Sequence, residues 1–161
     1  MERVVYGAIS EKEEDCITYM KKCFSAINDR QKDCNWLITD FDGYPQNSKI
    51  ADEFNREYSW ISGEKLTKMI ELEDFPWVWA VLSGFNKDIK LEDVLKYELP
   101  YANGNPDFWK KPISLQNPLA SIEIVPWDGM FTLIFSTEKK VVDDFKKAFP
   151  LSENIEDYID K

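Results

Sequence analysis

The sequence predicts an α+β fold: a mixed β-sheet with a C-terminal antiparallel hairpin, packed by several helices. Three observations predict it. Strand-like runs and helix-like periodicities follow one another without regular alternation, which argues against a doubly wound fold. Two alternating segments near residues 121–136 read as a hairpin. The 161 residues are 43% hydrophobic and 14% aromatic, which is ample material for a packed core. A chain of this length buries roughly 70% of its unfolded surface and is read as one globular domain over residues 1–161.

Val4 to Ile9 is an apolar run suited to a buried strand. Ser10 and Glu13 have the spacing of a capping box. They predict a helix running to about Ile27, with Cys16, Ile17, Met20, Cys23, Phe24 and Ile27 on its apolar face. Trp36 to Thr39 reads as a second strand, ended by a turn at Asp42-Gly43 and stopped by Pro45. Ala51, Phe54 and Tyr58 fit a helix with Ser48 as its cap, and Ser59 to Ile61 fits a short strand. Ser62 is the expected N-cap of a helix from Gly63 to about Leu72, whose inward face is Leu66, Met69 and Ile70.

Trp77 to Leu82 is apolar at every position and reads as a central strand covered on both faces, ending at Gly84. Leu91 to Tyr97 is a short helix with Leu91, Val94 and Leu95 inward. Leu99 to Pro118 carries four prolines and Asn103-Gly104-Asn105, a density of breakers that no regular element survives. Structureless stretches of this length inside a domain are often functional. Ser121 to Val125 and Met130 to Ser136 form the hairpin around a turn at Pro126 to Gly129. Thr137 is the expected cap of a helix from Glu138 to Phe149, with Val141, Val142, Phe145 and Phe149 inward. A short acidic tail follows, where Ile155 and Ile159 can dock.

Composition narrows the function. The net charge is −10, and the Lys doublets at 21–22, 110–111, 139–140 and 146–147 are scattered, so nucleic acid and anionic membrane are not expected partners. Complementary fields favour a basic protein partner instead. The absence of His removes imidazole acid–base chemistry, His-based triads and His metal ligands. Three Cys without a C-x-x-C spacing read as reduced thiols in a reducing compartment. Residues 1–10 lack the apolar stretch of a signal peptide, and no run approaches the length of a membrane span. A cytoplasmic location is the expectation, with no cofactor and no dedicated metal site.

Ile38-Thr39-Asp40-Phe41-Asp42-Gly43 resembles the nucleophile loop of haloacid-dehalogenase-type phosphatases. That resemblance implies Asp40 as nucleophile and Asp42 as acid, both beside a divalent metal. The chain departs from the pattern at Tyr44 and Pro45, and Asp143-Asp144, a candidate acidic pair, falls inside a predicted helix. A strand ending in an Asp-Gly turn has the same appearance. Ser62 to Lys65 spells the S-x-x-K of penicillin-binding proteins without its partner motifs, and reads as a helix cap.

Three further strings, at 77–85, 99–106 and 116–124, resemble those of small acidic proteins of Gram-positive bacteria that carry no assigned activity. In size, acidity and Trp content the chain is also similar to immunity proteins that neutralise bacterial toxins. The reading that follows is a non-catalytic protein-binding module, an inhibitor of a basic toxin. Its expected partner-binding residues are Tyr101, Asp107, Phe108 and Trp109 in the breaker-rich segment, and Trp127 and Asp128 at the hairpin. The alternative is a divalent-metal carboxylate enzyme using Asp40 and Asp42.

Overall fold

Seven strands join in one sheet in the computed structural model, which describes residues 3–14 and 18–161. In chain order the elements are β1 (Tyr6–Ile9), α1 (Met20–Ala26), β2 (Cys34–Gly43), α2 (Ser48–Phe54), β3 (Tyr58–Ser62), α3 (Gly63–Leu72), β4 (Trp77–Asn86), α4 (Leu91–Val94), β5 (Ile122–Trp127), β6 (Phe131–Ser136), α5 (Lys139–Ala148), β7 (Glu153–Asn154) and α6 (Ile155–Ile159). The expected α+β class is the observed one. The sheet order is β3-β2-β4-β5-β6-β1-β7. All of its pairings are antiparallel, where a mixed sheet was expected. The reason is placement: β3 and β4 are joined through α3, yet β2 lies between them and opposes both.

Alternation along the strands divides the apolar side chains between two faces. On one face Trp36, Ile38, Ala80, Leu82, Ile124 and Ile134 pack beneath α1, α2, α3 and α5. On the other, Leu37, Val81, Phe85, Val125, Leu133 and Phe135 form a second cluster. Among the described residues no long helix covers that second face. Its cover is the breaker-rich segment 99–118, which sends Ala102, Phe108, Ile113 and Leu115 into the cluster, helped by Val94 of α4 and Ile155 of α6. Only a short 3-10 turn, Pro106–Trp109, gives this strap regular structure. Its backbone polar groups therefore need other partners.

Those partners come from the sheet. Asp40 Oδ2 accepts from the Ala102 N–H at 2.9 Å and the Asn103 N–H at 3.0 Å. Glu123 accepts from the Gln116 N–H at 2.8 Å. Within the strap, the Asn105 amide donates to the Tyr101 carbonyl and to Gln116.

Two bulges set which side chains reach which face. Between the Thr39–Val81 and Asp42–Trp79 pairs, β2 spends one residue more than β4; Asp40 takes a left-handed conformation there, with φ 55°. Between Asp42–Trp79 and Gly43–Trp77 the surplus lies on β4. As a result Phe41 joins Phe54, Phe75 and Trp77 under the helices. Trp79, only two residues from Trp77, packs on the opposite face against Trp127.

Several local expectations change for tertiary reasons. The Ser10 hydroxyl, the expected helix cap, is tied to the backbone of Thr132, accepting its N–H at 2.9 Å. Helix α1 begins at Met20. Cys16 and Ile17 of its expected apolar face lie outside the described residues, while Met20, Cys23, Phe24 and Ile27 are buried as expected. Asn47 rather than Ser48 caps α2, accepting from the Lys49 and Ile50 amides. The strand through Trp77 does not stop at Gly84 but runs to Asn86. Gly84 leaves room there for the Ile122 side chain and the Trp36 ring. Leu95 points outward. Pro126 pairs within β5, and the turn shifts to Asp128 and Gly129, both with positive φ. Thr137 caps nothing; Ser136 Oγ accepts the Glu138 amide instead. Ser62 does cap α3, accepting the Lys65 amide at 3.1 Å.

Candidate functional site

The two bulges and the hairpin tip together build a row of half-buried aromatic rings at one end of the strap-covered face. Asp42 and Trp79 are direct cross-strand partners, so their side chains leave the sheet on the same side. The Gly129 N–H donates to the Val78 carbonyl at 2.9 Å and locks the hairpin tip beside β4. Trp127 then meets Trp79 edge to face, with ring centroids 4.8 Å apart. Trp109, delivered by the strap, stands at 83° to Trp127 with centroids 5.0 Å apart. Phe131 lies nearly parallel to Trp127, at 13° and 6.5 Å. Tyr158 of α6 closes the row 5.8 Å from Trp109. Separations of this kind fall in the favourable range for aromatic pairs.

The expected site residues divide. Trp109, Trp127 and Asp128 meet at the row, with Trp127 and Trp109 half-buried and Asp128 exposed. Tyr101 is 46% exposed, but it belongs to the strap near Gln116 rather than to the aromatic row. Asp107 is exposed and paired with Lys110 at 3.3 Å. Phe108 is the correction: at 3% exposure it is a core residue, packed against Phe135 and beneath Trp127. It shapes the site from below and offers no surface to a partner. The strap therefore acts mainly as the second layer of the core, with Tyr101, Asp107 and Trp109 left at its rim.

Sequence reasoning missed Trp79, Phe131, Tyr158 and the placement of Asp42. An unbroken apolar run hides which Trp faces which way, and the bulge at Val78 defeats simple alternation. The hairpin register did hold a signal, since Phe131 is the direct partner of Trp127.

The charge around the row is one-sided. Asp42 and Asp128 make no side-chain hydrogen bond or ion pair with any described residue. The nearby cations are committed: Lys110 to Asp107, Lys111 to Asp160, and Lys161 to Glu153. The Lys161 ammonium also lies 5.7 Å from the centroid of the Tyr158 ring, a cation–π contact at the far end of the row.

The chemistry first suggested by Asp40 and Asp42 takes a different form. β2 does not end in a nucleophile loop at Asp40; it bulges and continues pairing to Gly43. One Asp40 oxygen holds two strap amides. Among the described residues no group of three or more Cys, Asp or Glu side chains is placed to hold a metal ion. Cys34 begins β2 in a buried position, and burial, aided by Asp33, pushes its thiol up to about 11, far from a reactive thiolate.

Elsewhere, a groove of about 530 Å³ lies between α1 and α5, lined by Lys22, Asn28, Asp144 and Lys147. Asp144 there is already held by Arg30 at 2.7 Å and by Asn28 at 2.9 Å. The Arg30 guanidinium keeps its carboxyl below the usual range. The carboxylate of that groove is thus already paired, whereas those beside the aromatic row are not. Among the described residues no helix is long and apolar enough to cross a membrane. No family model matches the chain, and no curated protein or solved structure matches it either.

Proposed function

We propose that this chain is a non-catalytic binding protein that captures a basic protein partner, an inhibitor of the immunity-protein type. The observation that carries the reading is the aromatic row of Trp79, Trp109, Trp127, Phe131 and Tyr158, left half-buried beside the unpaired carboxylates of Asp42 and Asp128. Trp and Tyr are typical interface anchors, because they bury large areas at low cost in side-chain entropy. A net charge of −10 draws a cationic partner and repels anionic competitors. Inhibition would be steric, the row and its acidic rim covering a basic cleft.

Met130, 64% exposed at the hairpin tip, offers a position for a photo-cross-linking residue. Cross-linking in the native cells is expected to capture a basic protein whose own activity falls when the purified chain is added. Capture should disappear in a Trp127→Ala, Asp128→Lys background. No cross-link, or one that survives both substitutions unchanged, would overturn the reading.

A further inference from the structure

We infer that the Trp79–Trp127 end of the row is a receptor for an arginine side chain of the partner, with the guanidinium laid on the Trp127 face and paired to Asp42 and Asp128. This deepens the proposed binding role and rests on it.

The row already holds one cation. Lys161 lies over Tyr158 at its far end, where Glu153 also engages the same ammonium. The near end repeats the aromatic rings and carboxylates of that arrangement, with larger rings and without the cation. Trp79 and Trp127 sit edge to face, Asp42 stands directly across from Trp79, and Asp128 follows Trp127 at the turn. Neither carboxylate has a partner among the described residues, so the end of the row nearest β2 is an aromatic surface with two free acceptors. Of the aromatic side chains, Trp gives the strongest attraction to a cation above its face.

Arginine fits better than lysine on three counts. Its guanidinium is flat and can stack on an indole face, which a tetrahedral ammonium cannot do. It is more weakly hydrated than an ammonium, so covering it on an apolar ring costs less. Its forked donors can reach two carboxylates, or one of them bidentately, while still stacked. The first bulge has a role in this arrangement: it places Asp42 across from Trp79, on a face where unbroken alternation from Thr39 would have put Phe41.

The test uses the whole chain and two peptides of equal length and charge, one built on arginine and one on lysine, in physiological salt. Tryptophan indole N–H signals locate the binding. The arginine peptide is expected to bind at least tenfold more tightly, moving the Trp79 and Trp127 signals first. Asp42→Asn with Asp128→Asn should weaken it about tenfold, and Trp127→Leu by a similar factor. Trp127→Phe keeps a ring and should retain part of the affinity, which guards against a loss caused by misfolding. Equal binding of the two peptides at the row would overturn the arginine assignment while leaving a basic partner in place. No binding of either peptide, or signals that move only outside the row, would also overturn it. Peptide discrimination without any cross-linked protein at Met130 would instead sink the partner reading.

Discussion

Glu123 accepts a hydrogen bond from the Ser83 hydroxyl at 3.0 Å, with both residues fully buried between β4 and β5. The same carboxyl takes the Gln116 and Asn117 amides, so it pins the C-terminal end of the strap to the sheet. Burial pushes its pKa up to about 7, against the opposing pull of the Gln116 amide, the Ser83 hydroxyl, the Asn117 amide and the Arg3 charge. The folded state therefore holds a proton that the unfolded chain releases near its ordinary value of 4.5. Stability from this group is fully present below that value and is lost as pH rises toward 7, by about 3 kcal/mol in all. Urea unfolding measured from pH 4.5 to 8 should show this decline. Glu123→Gln should flatten it, and Glu123→Ala should flatten it too while costing about 2–4 kcal/mol at pH 4.5 by orphaning the strap amides. A profile unchanged by Glu123→Gln would show that the carboxyl titrates elsewhere.

Asp40 anchors the other end of the strap. Its carboxylate accepts the Ala102 and Asn103 amides, and its backbone occupies the left-handed region that Asp and Asn tolerate. Asp40→Ala removes both acceptors and adds backbone strain, and should cost about 1–3 kcal/mol. Asp40→Asn keeps an acceptor oxygen and the tolerance, and should cost less than half as much. Hydrogen exchange checks the mechanism: the Ala102 and Asn103 amides should lose protection in Asp40→Ala, while amides in α3 keep theirs.

Gly63 shows how much of the fold could be read locally. Ser62, the cap, and the helix Gly63–Leu72 were legible because a cap, a periodic apolar face and a terminating Phe75-Pro76 all lie within fifteen residues of one another. The inward face of α5 and the strands of the hairpin were legible for the same reason. What escaped was decided at long range. The Ser10 hydroxyl serves the backbone of Thr132, 122 residues away. Asp40 serves Ala102, 62 residues away, so a string with the look of a catalytic loop is a bulge with an anchor in it. Part of the candidate site was visible as Trp109, Trp127 and Asp128. The pairing of Trp79 with Asp42 depends on a register that no local pattern encodes, and Tyr158 joins the row only through tertiary packing.

Gly63 itself carries a constraint that the sequence did not announce. A Cβ at this position would collide with the Gln31 carbonyl, and with the Cys34 carbonyl at 2.8 Å, because α3 starts directly against the 3-10 turn Arg30–Asp33. These are backbone atoms of a turn that also accepts the Trp36 indole N–H at 2.9 Å, so they have little freedom to retreat. Gly63→Ala should cost about 3 kcal/mol or more, in the range of severe overpacking. A thermal melt of this variant within a degree or two of the parent would show that the turn yields.

Attraction and anchoring should separate in the kinetics of partner capture. The charge of −10 acts over about one Debye length, roughly 8–10 Å at physiological salt, and so acts on the encounter. The rings act only after desolvation, and so act on escape. With the protein captured at Met130, raising salt from 50 to 500 mM should slow association about tenfold or more while changing dissociation little. Trp127→Ala should do the reverse, raising the dissociation rate about tenfold or more and leaving association within a factor of about three. Asp128→Lys should affect both rates, because it reverses a charge on the approach path and removes an acceptor from the docked state. Stopped-flow fluorescence can follow all three, since Trp127 and Trp79 would report their own burial. If salt and Trp127→Ala altered the same rate constant, a single patch acting through one physical effect would replace the division between acidic rim and aromatic row.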